Sequence, residues 1–321
     1  MNSERLEILA QVASWYYEEN LSLRDISERL NRSVSLISRM LQEARELNLV
    51  EIRIRFPNPR NHTLEARLCD QFGISQAWVL TSVIENAADT LKRRLGNLGA
   101  ECLQQFLSDD IRIGLSWGKS IDGLVSAMPQ MHLPRSQVVQ VSGASGSTDP
   151  TVDGAQIAQR LATRLGTTAH FLHAPLIVES EELAAQLRQD KIVAETLRLA
   201  AQVDAAIVGV GTPYIVNTAL RRAGYITEDD VAQLEAEGVV GDIMGFQMDR
   251  NGQALDISLN RRIIGLHPAE LLSIPNVILT AHGDEKKAAV LAALRGGYVD
   301  VLVTDAPTAQ SVIELQAAEP N

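Results

Sequence analysis

Lys119 stands in the run Gly114-Leu115-Ser116-Trp117-Gly118-Lys119-Ser120, and that combination can hold an anion. A glycine turn leading into a helix leaves backbone N–H groups open at the helix start. Here Ser116, Ser120 and an ammonium surround them, and phosphate is the simplest occupant. The run is not a P-loop, because Gly114 lies too close to Gly118-Lys119-Ser120. A bare tight turn would need Gly118 but neither Lys119 nor Ser120. Ala281-His282-Gly283-Asp284-Glu285-Lys286-Lys287 makes a parallel case. A lysine in a first helical turn opposes the macrodipole unless an anion shares the space. Ser142-Gly143-Ala144-Ser145-Gly146-Ser147 offers small residues that let a polyol approach backbone amides. In Val240-Gly241-Asp242-Ile243 the carboxylate either accepts sugar hydroxyls or caps a turn. Ser116, Trp117, Gly118, Lys119, Ser120, Ser142, Gly143, Asp242, His282 and one of Lys286 and Lys287 are thus the candidates for holding a small hydroxylated anion.

Other chemistries fit less well. Val208-Gly209-Val210-Gly211-Thr212-Pro213 lacks the third glycine of a dinucleotide fingerprint, and Pro213 blocks the pattern, so no nicotinamide cofactor is expected. His170 and His173 fall on opposite faces of an extended segment, which argues against a metal site. Cys69 and Cys102, the two cysteines, have no metal-ligand spacing; a reduced, cytosolic setting is expected. Only Asp242 and His282 are placed to act as a base beside the glycine loops, so no catalytic residues are assigned.

A second kind of chemistry lies at residues 21–48. Ser22 with Asp25 reads as a cap pair, and Leu23, Ile26 and Leu30 give the following helix an apolar face. Asn31-Arg32-Ser33 is a turn, and Ser33 caps a second helix in which Val34, Ile37, Leu41 and Ala44 share a side. The opposite side carries short hydrogen-bonding groups and arginines, suited to base edges and phosphates. An ordinary helical hairpin would need the same seam, but its solvated face would mix charges. Arg32, Ser33, Ser35, Ser38, Arg39 and Gln42 are the expected contacts to operator DNA.

These groups need elements to position them. Residues 4–20 read as a helix with Leu6, Leu9, Ala13 and Tyr16 on one stripe, and Trp15-Tyr16-Tyr17 cements it to the next two. Val50-Glu51-Ile52-Arg53-Ile54-Arg55 alternates like a strand, either a wing or a solvated edge. Phe56-Pro57-Asn58-Pro59-Arg60-Asn61 is the linker between a helix-turn-helix domain (1–56) and an effector domain (57–321). Beyond it, strands at 77–81, 111–115, 138–142, 205–210, 277–280 and 299–304 alternate with helices. An α/β fold follows, with a doubly wound, mostly parallel sheet and ligands beyond the carboxyl ends of the strands.

The net charge of −11 opposes nucleic-acid binding until it is divided along the chain. Residues 1–60 hold nine Arg and nine acidic residues, so the whole excess belongs to the remainder. Residues 32–60 carry six Arg against three Glu, a local basic excess sufficient for a small module. Glu4, Arg5 and Glu7 interrupt any apolar run at the start, and no signal peptide or membrane span is expected.

Taken in order, Trp15-Tyr16-Tyr17, Ile113-Gly114-Leu115-Ser116-Trp117-Gly118, Val203 to Gly211, Val240-Gly241-Asp242-Ile243 and Leu294-Arg295-Gly296-Gly297-Tyr298 through Asp305 resemble the SorC family of sugar-responsive bacterial transcriptional regulators. The match spans essentially the whole chain. The resemblance implies an effector domain similar to sugar-phosphate isomerase and deaminase folds. It implies that the loop at 116–120 cradles a sugar phosphate, that Lys286 approaches it, and that a homo-oligomer, commonly a tetramer, binds the operator. Two departures stand out. Relatives that respond to deoxyribose phosphate can carry a Schiff-base lysine where Ser142 stands, so covalent capture is not expected. The deaminase-type Asp-Gly-His is replaced by Gly211-Thr212-Pro213-Tyr214, which argues against turnover. The expectation is a repressor controlled by a small phosphorylated sugar or polyol. Its rivals are a sugar-phosphate isomerase or deaminase with a DNA-binding appendage, and a binding module without DNA function.

Overall fold

The computed structural model describes residues 3–47, 49–50, 58–81, 88–146, 149–215 and 218–319. Its contacts separate into two units, residues 1–57 and 58–321. The strand expected at 50–55 lies outside the described residues apart from its first position.

The first unit is α1 (Ser3–Tyr17), α2 (Leu23–Leu30) and α3 (Val34–Glu46). Ser22 and Asp25 form a reciprocal capping box, and Asn31 ends α2 in the left-handed region (φ 49°). The Ser33 side chain accepts from the Leu36 N–H and starts α3. Caps of this kind contribute about 1 kcal/mol each, enough to fix where both helices begin. Leu9, Val12, Ala13, Ile26, Ile37, Leu41 and Ala44 form the core, with Trp15, Tyr16 and Tyr17 packed against it. One expectation fails here. Val34 is 45% exposed rather than part of the seam, because at the first position of α3 there is no preceding turn to pack under. Val12 is buried and Leu6 is only half-buried.

The second unit begins with a clamp rather than a free linker. The Asn61 N–H donates to the Val79 carbonyl and the Thr81 N–H to that of Pro59. Arg60 makes two bonds to Glu65 (2.7 and 3.0 Å), and its guanidinium lies 3.8 Å from the centre of the Trp78 ring. Glu65 in turn accepts the Val79 N–H at 2.8 Å. Residues 59–61 therefore cover a sheet edge that would otherwise stand open.

In chain order the unit continues with α4 (His62–Phe72), β1 (Gln76–Leu80), α5 (Ala88–Gln104), β2 (Arg112–Leu115), α6 (Lys119–Ala127), β3 (Gln137–Gln140), α7 (Gly154–Leu165), β4 (Thr168–His170), α8 (Glu181–Gln189), α9 (Lys191–Ala200) and β5 (Ala205–Val208). An insertion follows: β6 (Val210–Gly211), α10 (Ala219–Arg222), α11 (Glu228–Ala236), β7 (Gly241–Ile243), β8 (Phe246–Met248), α12 (Ser258–Arg261) and α13 (Pro268–Leu271). The chain closes with β9 (Val277–Thr280), α14 (Lys287–Arg295), β10 (Val301–Asp305) and α15 (Ala306–Ala318).

Seven strands form one sheet in the order β1-β10-β9-β5-β2-β3-β4, and every neighbouring pair is parallel. Apolar side chains cover both faces. Leu98, Leu103, Ile121, Leu124, Ile157 and Leu161 pack with Ala205 and Ile207 on one side. Leu68, Val290, Leu291, Val312 and Ile313 pack on the other, with Ala206 and Val208. Burial on both faces is why β5 reads as an unbroken apolar run. From β2 the chain winds outward through β3 to β4, then returns to β5 on the opposite side of β2. The β2–β5 boundary is thus the topological switch point, where an open α/β sheet leaves a crevice. The inserted antiparallel sheet β6-β7-β8, which alternation alone did not suggest, stands over that crevice.

Candidate functional site

A cavity of about 310 Å³ opens beyond the carboxyl ends of β2, β5 and β9. Its size suits one small polar molecule. The loop after β2 provides Ser116, Trp117, Gly118, Lys119 and Ser120; β7 provides Asp242; the loop after β9 provides His282, Glu285 and Lys286. Gly118 turns the chain at φ +117°, a backbone conformation almost confined to glycine, and donates its N–H to the Val152 carbonyl (3.0 Å). No side chain caps α6, and Lys119, Ser120 and Ile121 at its start line the cavity. An uncapped helix start of this kind suits an anion.

Asp242 is 8% exposed and accepts the Gly245 N–H at 3.0 Å. It pairs across the small sheet with Gly211, where a β-carbon would come within 2.3 Å of the carboxylate. Only a glycine leaves room for this carboxylate. Burial pushes its pKa up to about 6, against the opposing pull of the Gly245 N–H and the Lys286 ammonium. The same burial lowers Lys286, although Asp242 and Glu285 support its charge. His282 is lowered as well, by burial first and then by Lys286, which favours its neutral ring. Lys286 ends a short 3₁₀ turn directly before α14, whereas Lys287 pairs outside the cavity with Asp284 at 2.9 Å. At the mouth, exposed Lys119 and half-buried Arg222 both help to hold Asp149 below the usual carboxylate range, after its stronger bonds from Thr151.

Ser142 and Gly143 do not reach the cavity wall. Ser142 is 1% exposed and shares a hydrogen bond with Ser116 (Oγ–Oγ 3.1 Å), which puts it behind the floor. Gly143 is wedged against the Pro175 carbonyl, where a β-carbon would lie 2.4 Å away, and donates to the Ile264 carbonyl. Their physical place is support: β3 lies one strand away from the switch point. Conversely, Arg222, Thr218, Thr212, Met244 and Glu285 line the cavity without having been singled out. Glu285 had a signal, since it sits one residue before Lys286. Arg222 had a weak one, because Arg221 beside it is equally basic and pairs instead with Glu228.

In the first unit, Arg32, Ser33, Ser35, Ser38, Arg39 and Gln42 are all exposed. Ser33 caps α3 and shares a bond with Ser35 (3.1 Å), and Gln42 donates to Glu46 at 2.9 Å. Acidic residues are absent from the first turn of α3. The hydroxyls and Arg39 therefore meet an approaching polyanion without a competing carboxylate in that turn.

The family model of a sugar-binding domain matches residues 57–314. The deoxyribonucleoside regulator of Bacillus subtilis is 28% identical over 98% of this chain and 99% of its own length. The transcriptional regulator LsrR of an Enterobacter species is 30% identical over 96% of this chain and 93% of its own. Among solved structures, the full-length sorbitol operon regulator SorC from Klebsiella pneumoniae superposes with a TM-score of 0.72 at 25% identity, over 97% of this chain and all of that one. With a sugar-binding domain over most of its length and regulators matching it end to end, the chain belongs to the SorC family of sugar-binding transcriptional regulators.

Proposed function

We propose that this protein binds operator DNA through α3 and releases or rearranges on it when a phosphorylated sugar or polyol enters the switch-point cavity. One observation carries the reading. An uncapped helix start, Lys119, Arg222 and Lys286 line one cavity together with the buried carboxylate Asp242 and the exposed Glu285. Cations and N–H groups suit a phosphate, and Asp242 suits the hydroxyls of the attached carbon chain. The protein acts as a homo-oligomer, a tetramer in this reading, working in the cytoplasm as a repressor. Residues 1–56 make the DNA-binding domain and 57–321 the effector domain. Residues 1–56 carry eight Arg against nine acidic residues, so one copy grips DNA weakly and pairing copies on it supplies the missing affinity. Effector binding shifts operator affinity by a coupling of about 1–3 kcal/mol.

A thermal-shift screen of sugars, polyols and their phosphates against the full chain tests this reading. Stabilisation by sugar phosphates, growing with ligand excess over Kd, supports it. A panel in which only unphosphorylated compounds stabilise the protein contradicts the phosphate assignment. An enzyme is the second reading, because Asp242, a carboxyl with a pKa of about 6, and His282 line the same cavity and are groups there able to exchange a proton with a sugar. Turnover of any compound in the same panel would favour it; binding without turnover assigns the site to sensing.

A further inference from the structure

The seam of α3 is complete without its first residue. Ile37, Leu41 and Ala44 are buried, while Val34 stands 45% exposed at the very start of the helix. The Ser33 cap bonds the Leu36 N–H at 3.3 Å and fixes this turn, and a β-branched side chain in a helix keeps one strongly preferred χ1 rotamer. Its two methyls therefore point in a set direction. At 100° per residue, Val34 falls between the buried Leu41 and the exposed Ser38, with Ser35 and Arg39 further round. An apolar side chain is thus held at the edge of a surface otherwise made of hydroxyls and arginine, with no carboxylate in that turn. The DNA major groove presents one apolar group among its donors and acceptors, the C5-methyl of thymine.

We infer that Val34 is a specificity-determining residue that reads a thymine by packing its methyls on the base's C5-methyl. The inference rests on the reading of α3 as the DNA-binding helix. Ser35 and Ser38 hydrogen-bond beside this contact, and Val34 supplies discrimination against cytosine at that step.

The test uses the full chain and duplexes enriched by it from a random pool. In the enriched duplex each thymine is replaced in turn by uracil, which removes the methyl and nothing else. At one thymine per half-site, uracil should weaken wild-type binding about threefold to fivefold, the effect of exposing one buried methyl. Val34→Ala should bind the thymine duplex that much more weakly and be indifferent to the exchange, with its melting temperature unchanged because the side chain is outside the core. An enriched duplex with no Val34-dependent thymine overturns this inference alone. A pool that yields no enriched duplex overturns the DNA-binding reading and this inference with it. A change in oligomeric state in Val34→Ala would also overturn it, by assigning the valine to a protein contact.

Discussion

The surface of α3 and the cavity under the small sheet both present cations to an anion, but they hold those cations differently. On α3 and in the turn before it, Arg39 and Arg32 are exposed among short hydroxyls. In the cavity, half-buried Lys286 loses part of its hydration and shares the space with buried Asp242, whose charge supports its own. Charges in water contribute little singly, so a DNA-reading face spreads its affinity over many contacts. Charges in a cavity are strongly coupled, and removing one strands its partner. A replacement in the cavity should therefore be severe and narrow in effect, and one on α3 milder and confined to DNA.

The largest break expected is Lys286→Ala. It removes an ammonium placed to meet the phosphate and should weaken sugar-phosphate binding on the order of 100-fold, as truncating one partner of a desolvated charge pair does. Operator affinity without ligand should stay within about twofold of wild type. Calorimetric titration and a mobility-shift assay on the same preparation check the two halves. Next comes Arg39→Ala, which should cost specific operator binding about 10- to 100-fold, the range of a good bidentate base contact. Its thermal shift with sugar phosphate should match wild type. A loss of both responses in either variant would erase the distinction between the two regions.

The smallest effect concerns protons. The folded value of Asp242, about 6, lies above its ordinary 3.8, so the folded chain holds that proton more tightly than the unfolded one. Stability should then fall as pH rises between these values and remain lower above them. Asp242→Asn should lose that slope and, at pH 7, recover on the order of 2 kcal/mol, seen as a few degrees in melting temperature. A variant that melts with the wild-type pH profile between pH 4 and 6 would place the titration elsewhere.

Much of this could be read from the chain, and the failures have physical causes. The loop at Ser116–Ser120 was legible because Lys119 and Ser120 add chemistry that a turn does not require. Asp242 was legible only as an alternative, since pairing with Gly211 across β6 and β7 is a long-range fact. Ser142 and Gly143 lie behind the cavity lining, and sequence does not show this because a strand end is visible in it whereas strand order is not. β3 proved to lie outside the switch point. Arg221 and Arg222 are neighbours of one type, and only the fold sends one to Glu228 and the other to the cavity. Helical period assigned Val34 to the core, but period says nothing of where a helix begins to have neighbours. The segment 56–61 reads as linker from its prolines; its first two residues lie outside the described ones, and the Arg60–Glu65–Trp78 clamp depends on partners that follow Arg60 by up to 18 residues.

The central claim is that an anionic sugar in the cavity changes the grip of α3 on DNA. Operator binding by the full chain, followed by fluorescence anisotropy at fixed ionic strength, tests it directly. A sugar phosphate from the thermal screen and its unphosphorylated parent are titrated against wild type and Lys119→Ala. The phosphate should shift operator Kd by roughly 5- to 150-fold in wild type, the parent sugar should not, and Lys119→Ala should lose the shift while keeping its unliganded operator affinity. A free sugar that acts as strongly as its phosphate, or a Lys119→Ala response equal to wild type, would contradict the account.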